Sequence, residues 1–70
     1  MQARLREFQA DLLRCLRCAE GHLHAVAGMI ETGSDCQVVL LQLRAVQGAL
    51  AEISRRLARR YSDERLRVGL

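Results

Sequence analysis

The chain contains no proline, no tryptophan and no lysine, and a single phenylalanine and tyrosine. Without proline, nothing compels a helix to break in its interior. With so few aromatic rings, any core must be built from aliphatic side chains. No stretch approaches the roughly 20 apolar residues of a membrane span, so no membrane partner is expected. Met1 to Ala10 carries Arg4, Arg6 and Glu7 and has no apolar run, which argues against a secretory signal and for the cytoplasm. The chain also lacks a Gly-rich phosphate loop, a set of nucleophile, base and orienting group, and paired carboxylates in an apolar setting. It is not expected to be an enzyme.

Half of the 70 residues are apolar, mostly Leu, Ala and Val. One domain of this length buries only about 60% of its unfolded surface. Such a chain completes its core by associating with another. All eleven basic residues are Arg and the net charge is +3. Arg grips phosphate as a planar, bidentate fork, although so small an excess fits solvated helix faces as well as nucleic acid. The three cysteines are an odd number, and free thiols in a reducing compartment are the simplest reading.

Residues Leu5, Gln9, Leu12, Leu16, Ala19, Leu23, Val26 and Ile30 step alternately by four and three, which predicts one helix over about residues 3–31. Gly33 supplies a stop, and Ser34 or Asp35 the next N-cap, in a turn over about residues 32–35. A second seam through Cys36, Val39, Leu43, Val46, Leu50, Ile53 and Leu57 predicts a helix over about residues 36–61. The charged segment over about residues 62–70 either extends that helix or frays. So short a connection folds the helices back antiparallel. The expected fold is all-α: a two-helix hairpin that pairs into a four-helix-bundle dimer, with a further doubling to a dimer of dimers.

Two segments narrow this picture. The run Met29-Ile30-Glu31-Thr32-Gly33-Ser34-Asp35-Cys36 is followed by Gln42, Ala45, Val46, Ala49 and Leu50 in the pattern Gln-x-x-Ala-Val-x-x-Ala-Leu. Upstream, Leu16, Arg17, Glu20 and Gly21 match a signature Arg-Leu-Arg-Arg-x-Glu-Gly-Gln, with Cys15, Cys18 and His22 departing from it. Over about residues 12–61 the chain resembles the CsoR/RcnR/FrmR family of bacterial repressors. The resemblance implies a homo-oligomer of helical hairpins, a dimer or a flat tetramer. It further implies that basic residues on the exposed face of that assembly bind operator DNA and that an effector at a thiol site releases it. Arg17 inherits a basic position of that face, with Arg14 and Arg44 as neighbours able to replace those lost at Cys15, Cys18 and Gln47.

Cys36 matches the family's sensing cysteine, which is a metal ligand in some members and a reactive thiol in others. The positions that complete the metal site are Tyr61 and Arg65 here, and an Arg cannot deprotonate to become a ligand. The metal site at Cys36 is therefore incomplete, and an electrophile or oxidant is the expected effector rather than a chelated ion. Cys15, Cys18 and His22, at i, i+3 and i+7, form an alternative set for a copper or zinc ion. A different reading also stands: a degenerate paralogue that serves as a helical oligomerisation module, without metal sensing or DNA binding of its own.

Overall fold

The computed structural model describes residues 2–69, with side chains described over residues 4–66. Two helices make up the fold, α1 over Gln2–Glu31 and α2 over Cys36–Gly69, and there is no strand among the described residues.

The first helix ends for a local reason. Gly33 adopts φ = 77°, the left-handed region that favours glycine. Its N–H donates to the Ile30 carbonyl at 3.1 Å, and the Ser34 N–H donates to the Met29 carbonyl at 2.9 Å. This crossed pair satisfies two carbonyls that a bare helix end leaves open. The Thr32 hydroxyl donates to the carbonyls of Gly28 and Met29, tightening the same turn. Of the two candidate caps for α2, Asp35 does the capping: its Oδ1 accepts from the Gln37 N–H at 3.3 Å. Gly33→Ala places a Cβ in the left-handed region and is expected to cost about 1–2 kcal/mol. Urea unfolding at fixed protein concentration reads this as a lower midpoint with an unchanged slope.

The second helix is longer than its apolar seam suggests. It passes residue 61, where the seam fades, and continues to Gly69. Two contacts one turn apart bridge the expected end: Arg60 Nε donates to Glu64 at 3.1 Å, and Arg65 Nη1 donates to the Tyr61 hydroxyl at 3.2 Å. Such pairs support a helix without any core contact. Met1 and Leu70 lie outside the described residues.

The helices pack antiparallel in a single layer measuring 54 × 20 × 11 Å. The smallest dimension is about one helix diameter, so neither broad face is covered. The buried residues are Leu12, Ala19 and Val26 on α1, and Val39, Val46 and Ile53 on α2. Both rows repeat every seven residues, and apart from Leu12 they consist of small or β-branched side chains.

The α1 seam read from the sequence divides in two. Leu12, Ala19 and Val26 face α2, joined by half-buried Phe8, Cys15, His22 and Met29. Leu5, Leu16, Leu23 and Ile30 remain exposed, as does Gln9. On α2, Leu50 and Leu57 are likewise exposed and Leu43 is half-buried. The reason is geometric. Each helix carries an apolar arc wide enough for two neighbours, but a hairpin supplies only one. Leu16 at 42% exposure, Leu23 at 44% and Leu57 at 48% form the uncovered part of that arc.

Candidate thiol site and basic faces

Cys36 is the first residue of α2 and is exposed. The cap at Asp35 leaves it beside the turn, where unpaired backbone N–H groups point outward. It borders an open groove of about 450 Å³ lined by Ile30, Gly33, Ser34, Val39, Leu40 and Leu43. The groove is largely aliphatic because the uncovered arcs of both helices meet at the turn. In the hairpin, then, Cys36 is not a packed core thiol. A small apolar reagent reaching it would be flanked by Ile30 and Leu43.

The other proposed metal set does not assemble. Among the described residues, no group of three or more His, Cys, Asp or Glu side chains gathers closely enough to hold a metal ion. His22 turns toward α2 and its Nε2 donates to Gln42 Oε1 at 2.7 Å. Cys15 is half-buried against α2, whereas Cys18 is exposed. A straight helix spreads three such side chains along its length, and here the neighbouring helix engages one of them. The interhelical His22–Gln42 bond cannot be read from residue spacing, although both residues lie in the segments quoted above, because their pairing depends on the register between helices.

The family resemblance places Arg14, Arg17 and Arg44 on one DNA-binding face. Arg14 and Arg17 do share a face of α1, bordering a shallow surface with Ala10, Leu13 and Cys18. Arg14 Nη1 pairs with Asp11 at 3.2 Å on the exposed surface. Arg17 and Arg44 are exposed, and neither has an ion-pair partner among the described residues. Arg17 is two residues from both Cys15 and Ala19, and Arg44 is two residues from both Gln42 and Val46. Two residues turn a helix by about 200°, so each arginine points away from the partner helix. Within one hairpin, Arg44 and the Arg14/Arg17 pair therefore lie on opposite edges.

Apart from Arg4 and Arg6 on α1, the remaining arginines concentrate near the far end of α2. Arg55 approaches Glu52 at 2.8 Å, Arg56 at 3.4 Å and Arg59 at 4.0 Å. The Arg55 guanidinium, bonded to the Glu52 carboxylate, holds that group below the usual carboxylate range, and Arg56 adds to the effect. Arg60 lies over the Phe8 ring at 5.3 Å and ties the end of α2 back to α1. Most of this patch is therefore occupied by local pairing.

Tyr61 and Arg65 engage each other. Besides the hydrogen bond between them, the guanidinium carbon lies 5.8 Å from the tyrosine ring centre.

A family model described as metal-sensitive transcriptional repressor matches residues 9–67. No curated protein and no solved structure matches the chain significantly.

Proposed function

Since the chain belongs to the family of metal-sensitive transcriptional repressors, we propose that it binds operator DNA as a homo-oligomer and lets go when a thiol-reactive molecule engages Cys36. The observation that carries this reading is the position of Cys36. It is an exposed thiol at the start of a helix, and its groove opens onto the uncovered aliphatic arc.

The family's description implies a metal ion, and the donor set here does not suit one. Cys36 is the one thiol at the turn, and Tyr61 and Arg65 are committed to a hydrogen bond and a cation–π contact with each other. A guanidinium is cationic and offers no lone pair to a metal. Covalent chemistry at sulfur asks for one accessible thiol and no further ligand. An electrophile that alkylates Cys36 enlarges a side chain bordered by Ile30 and Leu43.

In this proposal the exposed residues Leu16, Leu23, Ile30, Leu50 and Leu57, with half-buried Leu43, pack against the same row of a second chain, giving a four-helix bundle. Two bundles then join to present Arg14 and Arg17 of one protomer near Arg44 of another. Pairing across chains is needed because a single hairpin places these residues on opposite edges. An adduct at Cys36 would sit at the rim of the bundle. Overpacking of such a rim costs typically about 1–3 kcal/mol, and about 1.4 kcal/mol is one decade of affinity.

The test is fluorescence anisotropy with the DNA upstream of the chain's own gene, with and without N-ethylmaleimide. We expect the promoter fragment to bind more tightly than random DNA at physiological salt. Alkylation should weaken that binding about tenfold, and Cys36→Ala should remove most of the response. Equal binding to random DNA defeats the repressor reading and favours the oligomerisation module. An unchanged response in Cys36→Ala defeats the assignment of Cys36 alone.

A further inference from the structure

We propose that Cys15 and Cys18 form a second redox site, distinct from Cys36, which a hydroperoxide closes to a disulfide within α1. The two thiols differ in the way such chemistry needs. Cys18 is exposed and lies beside the open surface of Ala10, Leu13, Arg14 and Arg17, so an oxidant reaches it directly. Cys15, one turn earlier, is half-buried against α2, and Arg56 Nη1 donates toward its Sγ at 4.0 Å. Glu52 accepts from Arg56 Nε at 3.4 Å, which holds the guanidinium at that edge. Reactive cysteines are found in electropositive, partly exposed surroundings: Arg14 and Arg17 border the surface at Cys18, and Arg56 stands at Cys15, the thiol that closes the bond. His22 is bonded to Gln42, so no third donor joins the thiols for a metal.

The chemistry balances with a hydroperoxide as the oxidant. The Cys18 sulfur attacks the terminal peroxide oxygen. An S–O bond forms, the O–O bond breaks, and the leaving oxygen departs with the thiol proton as an alcohol, or as water from hydrogen peroxide. Cys18 is then a sulfenic acid. The Cys15 sulfur attacks Cys18 Sγ, an S–S bond forms, the S–O bond breaks, and hydroxide leaves with the Cys15 proton as water. Two thiols are oxidised by two electrons and one peroxide is reduced.

Closing this bond strains the helix. Side chains three apart on a helix have Cβ atoms about 5–6 Å apart, and a disulfide draws them to about 3.5–4.5 Å. The turn that must deform carries Leu16 of the aliphatic row and Arg17, with Arg14 directly before it. Oxidation thus loosens α1 where the proposed assembly and DNA contacts begin. The effect on DNA rests on the repressor reading; the disulfide itself does not.

The experiment uses full-length Cys36→Ala chain titrated with hydrogen peroxide and read by non-reducing mass spectrometry and far-UV circular dichroism. Trypsin cleaves after Arg14 and Arg17 and so separates the two cysteines. We expect a monomer lighter by two hydrogens, linked peptides that part on reduction, and a reversible loss of helical signal. Arg56→Met should slow closure severalfold. In the unsubstituted chain, further cleavage after Glu20 and Glu31 separates Cys18 from Cys36 and gives the same map. Links only between chains, separate over-oxidation of each thiol, or closure without change in helical signal overturns the proposal. Operator binding by the oxidised chain reports separately on the repressor reading: a closed disulfide with no operator preference in either redox state fails that reading and leaves the redox site standing.

Discussion

Leu23→Asp is expected to split the assembly and, with it, most of the helical structure. Leu23 is 44% exposed in the hairpin, so an Asp there meets no clash within one chain. In the proposed bundle it becomes an unpaired carboxylate inside an aliphatic row, which is strongly unfavourable. Loss of the partner leaves a hairpin whose buried side chains are Leu12, Ala19, Val26, Val39, Val46 and Ile53. Ala and Val contribute little buried area each, and a two-helix layer of this size is marginal. Sedimentation should show a monomer, and circular dichroism a large loss of helical signal at low protein concentration. The exposed control Gln47→Asp should change neither. A wild-type chain that sediments as a folded monomer, or a Leu23→Asp chain that keeps the wild-type mass, removes the basis of the bundle.

The second large effect is on DNA affinity. Arg17→Ala should weaken operator binding and flatten its dependence on salt. Each phosphate contact contributes about −0.9 to the slope of log affinity against log salt concentration. In a fourfold assembly the substitution removes several such contacts at once. Arg17 is the informative choice because it has no ion-pair partner among the described residues, whereas Arg14 is already bonded to Asp11. Arg55→Ala is the contrast. Its guanidinium is committed to Glu52, so it should leave the salt slope nearly unchanged. A salt slope identical in Arg17→Ala and wild type would remove Arg17 from the interface.

The candidate site was legible only where its chemistry is local. The Gly33 stop, the capping residue and the start of α2 at Cys36 follow from short stretches of chain, and the structure places them together. The set Cys15, Cys18 and His22 looked like ligands on one helix face. The partner helix decided otherwise by engaging His22 with Gln42 and placing Arg56 at Cys15. Likewise, Asp63 stands four residues after Arg59, but Arg59 approaches Glu52 instead. Side-chain choice among several charged neighbours depends on three-dimensional distances that residue spacing alone does not give.

By itself the sequence determined two antiparallel helices, a tight Gly33 turn between them and the family resemblance. Helical periodicity, the glycine stop and the cap all act within a few residues, so they can be read along the chain. How the apolar arc is shared depends on the packing of the two helices. Seven-residue rows on both helices close the hairpin, and the neighbouring leucines stay uncovered because a second helix covers one side of the first. The same packing sets Arg17 and Arg44 on opposite edges, since which direction is outward depends on where the other helix lies.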